Sequence, residues 1–74
     1  MSAAETARAL LAAELALPHD QIGPDTALFS TAEWNSLAHL RIVLALEEII
    51  KRPLTPTEII SLSGFSDVTA LLEE

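Results

Sequence analysis

The residues best placed to do chemistry are Ser36 and its neighbours, in the run Trp34-Asn35-Ser36-Leu37 that opens the longest apolar stretch of the chain. A serine just inside a helix N-terminus, after a polar loop, presents its hydroxyl at the positive end of the helix dipole, where a phosphate group is favoured. His39 follows three residues later on the same helix, a spacing that suggests a nucleophile with its base. No third group is evident to orient the imidazole, however, and the chain has no Gly-x-Ser-x-Gly elbow, so a hydrolase is disfavoured. His39 is instead expected to pack near Trp34 or to stay solvated. His19, Asp20 and Asp25 form no recognisable ligand spacing, and a calcium loop starting at Asp25 would put Ala27 and Phe29 where oxygen ligands are required. No metal site is expected.

Four helices must position that serine. Ser2-Ala3-Ala4-Glu5 has capping-box spacing and predicts a first helix from Ala3 to Leu15 or Ala16, with Ala7, Leu10, Leu11 and Leu15 on one face and Pro18 as its stop. Residues 17–35 contain Pro18, Gly23, Pro24 and several Asp, Ser and Thr, which predicts a long ordered loop, and loops this long in small domains are usually functional. Ile22, Ala27, Leu28 and Phe29 are expected to pin it to the core. Ser30-Thr31-Ala32-Glu33 repeats the capping-box spacing and suggests a short helical turn.

The second helix is predicted over Ser36 to Ile50, with Asn35 as N-cap and Pro53 closing it beyond Lys51 and Arg52. Glu47 to Lys51 and Glu48 to Arg52 have the favourable i, i+4 orientation for ion pairs. Thr55-Pro56-Thr57-Glu58 opens a short helix through Ile59, Ile60 and Leu62, which Gly64 ends, and Ser66 is expected to cap a last helix holding Val68, Ala70, Leu71 and Leu72. The fold class that follows is all-α, a small bundle of three main helices plus one short helix, with the long loop between helices 1 and 2.

Winding the second helix at about 100° per residue separates two apolar sets. Ala38, Ile42, Ala45, Leu46, Ile49 and Ile50 form the expected core side. Leu37, Leu40 and Leu44 lie opposite, among Ser36, Arg41, Glu47, Glu48 and Lys51, where a helix that only had to fold would be polar. Leucines at i, i+3 and i+7 are the usual form of a helix that docks into another protein's groove. The plainer alternative is that the loop or the short helix covers them. Trp34 is most simply a loop anchor, although its place beside Ser36 would also let it touch a partner.

Composition narrows the class. Seventy-four residues without cysteine make one domain held by neither a disulfide nor a thiolate metal site. Half the residues are hydrophobic but three are aromatic, so the core should be Leu, Ile, Val and Ala on helices. Eleven acids against four bases give a net charge of -7, which disfavours nucleic acid and anionic membrane surfaces and favours solubility and steering toward basic partners. No run is long enough to span a bilayer, and the start lacks the basic and apolar regions of a signal peptide, so the expected compartment is the cytoplasm.

Taken together, the long loop, Asn35-Ser36-Leu37, the exposed leucines, Glu47-Glu48, the acidic balance and the short third helix resemble the phosphopantetheine-dependent acyl and peptidyl carrier proteins. That family's attachment motif is Asp-Ser-Leu. The resemblance covers nearly the whole chain and implies that Ser36 carries 4'-phosphopantetheine from coenzyme A, flanked by the motif neighbours Asn35 and Leu37. It implies a non-catalytic carrier whose cofactor thiol holds an acyl or aminoacyl thioester, which suits a chain without cysteine. The partners implied are a phosphopantetheinyl transferase and acyl- or aminoacyl-loading and processing enzymes, met through Trp34, Leu37, Leu40, Arg41, Leu44, Glu47 and Glu48, with the carrier a monomer. Two departures stand out. Asn35 replaces the aspartate, removing a charge that family transferases are expected to read. Ala38 and Arg41 occupy positions that are acidic in many fatty-acid carriers, so contacts should rest more on leucine than on charge, as in peptidyl or aminoacyl carriers. The Met1 start and the adjoining capping box favour a free-standing chain. The reading from a different class is a helical interaction adaptor that uses the Leu37, Leu40 and Leu44 stripe without a prosthetic group.

Overall fold

Residues 2–74 are described by a computed structural model. Its elements are α1 (Ala3–Leu15), a short 3-10 turn (His19–Gln21), α2 (Ser36–Ile50), α3 (Pro56–Ser61) and α4 (Phe65–Leu72). Among the described residues there is no strand, only an isolated bridge between Ala27 and Gly64.

Local capping explains where α1 and α3 begin. The Ser2 hydroxyl accepts from the Glu5 amide at 3.1 Å while the Glu5 carboxylate accepts from the Ser2 amide at 3.3 Å. Thr55 and Glu58 repeat this reciprocal pair at 3.1 and 2.8 Å, with Pro56 at the first helical position. α1 closes on Ala16, whose left-handed φ of 56° lets Leu17 donate back to the Ala12 carbonyl at 3.0 Å.

α1, α2 and α4 pack on one another around Leu10, Leu11, Leu15, Ile42, Val43, Leu46 and Val68, with Ile22 and Trp34 brought in from the loop. Burial of each large side chain contributes roughly 1.5–3 kcal/mol, and no disulfide adds to that. α3 lies outside this triad and buries none of its own residues. It is held between two anchors, Leu54 before it and Leu62 at its end, which are 6% and 1% exposed.

The loop between α1 and α2 is ordered by its own hydroxyls and by a docking strip. Thr26 accepts from the Gly23 amide and Thr31 from the Ala27 amide, each at 3.0 Å. The Leu28 amide donates to the Ser63 carbonyl and the Phe65 amide to the Thr26 carbonyl, fastening the loop to the α3–α4 connection.

Several expectations are corrected. Ile49 is 47% exposed, whereas Val43, missing from the expected core side, is buried. Ile49 borders an open groove that Thr6, Ala9 and Ala45 line with short side chains, so no element reaches over it, and the core face rotates toward Val43. Phe29 does not pin the loop but is 72% exposed, while Ile22 is buried and Leu28 packs partly on the core. Ser30–Glu33 is a turn, not a capped helix, closed by the Thr31 amide on the Ala27 carbonyl and the Trp34 amide on the Thr31 carbonyl.

The two expected ion pairs of α2 are not made. Lys51 leaves the helical path with φ 64°, and the Glu47 carboxylate accepts instead from the Leu54 amide at 2.8 Å. Arg52, past the end of the helix, pairs with Glu58 at 2.8 Å and Glu74 at 2.7 Å. Its forked hydrogen bonds hold the Glu58 carboxyl down at about 2. Gly64, not Ser66, is the N-cap of α4. The Asp67 carboxylate gathers the Ser63 and Gly64 amides and the Ser63 hydroxyl, which starts the helix at Phe65.

Candidate functional site

Ser36 is the first residue of α2 and lies exposed to solvent. Asn35 is the N-cap, as expected, with extended backbone and its side-chain oxygen accepting from the Ala38 amide at 3.0 Å. That bond satisfies one first-turn donor and leaves the Ser36 and Leu37 amides without intrahelical partners. An exposed hydroxyl, two open amides and a neutral Asn35 at the positive end of a helix of 15 residues suit a phosphate ester on Ser36.

The turn that presents Ser36 hangs from Trp34. Its side chain is fully buried, its amide donates to the Thr31 carbonyl and its carbonyl accepts from the Phe29 amide, both at 2.9 Å. The indole N–H donates to His39 Nδ1 at 3.1 Å, with the two rings stacked at 6.2 Å between centroids. Because Nδ1 accepts, the proton of the neutral imidazole resides on Nε2, which donates to the Ile59 carbonyl of α3 at 3.1 Å. The expected proximity of His39 to Trp34 is therefore found, together with a link to α3 that separates the pair in sequence by 20 residues and carries no local pattern.

This geometry removes His39 as a general base for Ser36, since both ring nitrogens are committed elsewhere. His19 and Asp20 sit exposed in the 3-10 turn, and among the described residues no three His, Asp or Glu side chains converge as metal ligands would.

Leu37, Leu40 and Leu44 are 61%, 56% and 56% exposed, so neither the loop nor α3 covers the stripe. Arg41 and Glu48 are exposed along it. Trp34, by contrast, is fully buried and cannot reach a partner from the core, whereas Glu47 is half-buried with one carboxylate oxygen accepting from the Leu54 amide. The sequence reading did not anticipate the exposure of Phe29, from the loop, or of Ile60, from α3. An aromatic inside a loop reads as an anchor until its backbone angles are known.

The open grooves along α1, one lined by Ala4, Glu5, Arg8, Ala9 and His19 and the other by Ala9, Leu10, Glu14, Ala45 and Ile49 among others, contain no residue of the Asn35-Ser36-Leu37 turn. With Ser36, Leu37, Leu40 and Leu44 all exposed, the site is a surface platform.

Over residues 5–72 the chain matches the family described as phosphopantetheine attachment site, and it belongs to that family. Members bind 4'-phosphopantetheine covalently on a serine, and such carrier domains are not themselves catalytic. No curated protein and no solved structure matches the chain significantly. No helix among the described residues is long and apolar enough to cross a membrane.

Proposed function

We propose that this chain is a carrier protein in fatty-acid, polyketide, nonribosomal peptide or related biosynthesis, with Ser36 as the residue that bears the prosthetic group. The observation that carries this reading is the exposed Ser36 hydroxyl at the open N-terminus of α2, beside a leucine stripe that nothing in the fold covers. When attached, the phosphopantetheine group supplies the thiol that holds an acyl or aminoacyl cargo as a thioester.

The chain's own residues do the rest. Asn35 fixes the first turn, and the free Ser36 and Leu37 amides together with the helix dipole offset the negative charge of a phosphodiester. Trp34 and His39 hold the loop, α2 and α3 in register around that turn. Leu37, Leu40 and Leu44 supply apolar contact to a transferase and to loading and processing enzymes, with Arg41 and Glu48 as charged flanks. A single domain working as a cytoplasmic monomer completes the reading.

The test is modification by coenzyme A with a broad-specificity phosphopantetheinyl transferase, read by intact mass. The parent is expected to gain one 4'-phosphopantetheine group, with release of 3',5'-ADP from coenzyme A, and Ser36→Ala none. A folded parent that no transferase modifies, yet that still captures partners through the stripe, would be the behaviour of an adaptor instead.

A further inference from the structure

Phe29 combines two features that neither the fold nor the function described so far explains. Its side chain is 72% exposed, and its φ of 67° lies in the left-handed region, which a bulky side chain rarely adopts. The other two non-glycine residues with positive φ, Ala16 and Lys51, close helix C-termini, where that conformation recovers backbone hydrogen bonds. Phe29 closes no helix. Glycine or asparagine would suit the turn better, and a polar residue would suit the solvent better, so the phenyl ring is disfavoured locally on two independent counts.

Its place is next to the serine. The Phe29 amide donates to the Trp34 carbonyl at 2.9 Å, which sets its backbone against the peptide that leads into Asn35 and Ser36. The supports on either side are firm: Trp34 is in the core, and the neighbouring Leu28 amide is fixed to the Ser63 carbonyl. Phe29, Ser36 and Leu37 are all exposed, and the Phe29–Trp34 backbone bond ties the loop that bears the ring to the turn that bears the serine.

We propose that Phe29 is a recognition residue for the enzyme that modifies Ser36, a rigidly presented aromatic that is covered by an apolar pocket of that enzyme on docking. Aromatic side chains seated in such pockets carry a disproportionate share of binding energy, and a fixed backbone reduces the ordering cost of using one. This inference rests on the carrier reading and extends it from α2 to the preceding loop.

Phe29→Asn and Phe29→Gly test it, because both suit the left-handed backbone and remove the ring. With a transferase and coenzyme A, each is expected to raise KM for the carrier about tenfold with kcat retained, while its melting temperature equals or exceeds the parent's. Phe29→Leu should fall between them and the parent. Parent-like KM in both ring-deleted variants would overturn the proposal, as would loss of helix content in both. A ring whose NMR signals shift on modification of Ser36 while KM stays unchanged would assign it to the prosthetic arm and equally overturn it. If the parent itself is never modified, the carrier reading fails first and takes this inference with it. If the parent is modified and the variants match it, this inference alone fails.

Discussion

The two ends of α2 are built from the same helix and treated oppositely. At the C-terminal end the Glu47 carboxylate caps the Leu54 amide, Lys51 donates its amide to the Glu47 carbonyl, and Arg52 ties α3 to the chain end through Glu58 and Glu74. At the N-terminal end one side-chain cap, Asn35, serves the first turn, Ser36 is open, and Leu37, Leu40 and Phe29 face solvent. Polar groups that find partners inside a chain hold its fold, whereas polar and apolar groups left facing outward together are available to something else. The closed end keeps α2 and α3 in place, while the open end leaves a hydroxyl and apolar side chains facing solvent.

The sharpest way to break that contrast is to attack its hinge. Trp34→Ala removes a fully buried side chain, for which losses of about 3–5 kcal/mol are usual, comparable to the whole stability of many small domains. Chemical denaturation should show a protein largely unfolded in water. Trp34→Phe keeps most of the volume but deprives His39 Nδ1 of its donor, and should cost about 1–2 kcal/mol. A Trp34→Ala protein that melts like the parent would mean the loop is not anchored there.

At the open end the expected effects are on recognition. Leu37→Glu or Leu44→Glu should leave stability within about 0.5 kcal/mol, because these side chains already face water, while transfer to and from partner enzymes weakens severalfold. Unfolding of both variants would place the leucines in the core and erase the contrast.

The closed end should reveal itself in acid. The Glu58 carboxyl, lowered from 4.5 to about 2 chiefly by its hydrogen bond to Arg52, contributes stability in full above pH 4.5, and that contribution fades as pH falls toward 2. Glu58→Gln keeps the side-chain shape and one acceptor oxygen but removes the charge and the second acceptor for Arg52, so the parent should lose more stability than this variant between pH 4.5 and 2. Parallel unfolding curves across that interval would show that the ion pair adds nothing.

The smallest expected effect concerns Asn35. Asparagine and aspartate are nearly equivalent N-caps, so Asn35→Asp should move the denaturation midpoint by only a few tenths of a kcal/mol. A transferase cation meeting a carboxylate gains a charge-assisted bond roughly twice as strong as one to an amide, and modification of Ser36 should speed up, less so in added salt. Equal rates at every salt concentration would make Asn35 a neutral spelling of the motif.

What could be read from the sequence was local. The limits of α1 and α2 follow from Ser2, Asn35 and the residues just beyond each helix, because a cap is a bond between near neighbours. The approach of Trp34 to His39 is local as well. Features that depend on distant chain segments were out of reach: Arg52 finds Glu74 across 22 residues, and His39 finds the Ile59 carbonyl across 20. Whether Ile49 or Val43 faces inward depends on how small Ala9 and Ala45 leave the space between two helices. At the site, Ser36, Leu37, Leu40 and Leu44 were recognisable because helical winding alone places them, and Phe29 was not, because its exposure follows from a loop folded onto the Ser63–Gly64 segment.

The central claim is that the open end of α2 bears the prosthetic group on one serine among six. Intact mass spectrometry of the parent and of Ser36→Ala, each incubated with coenzyme A and a broad-specificity phosphopantetheinyl transferase, tests it most directly. One 4'-phosphopantetheine addition to the parent and none to a folded Ser36→Ala protein is the predicted result. Addition that persists in Ser36→Ala, or a folded parent that stays unmodified with every transferase supplied, would contradict it.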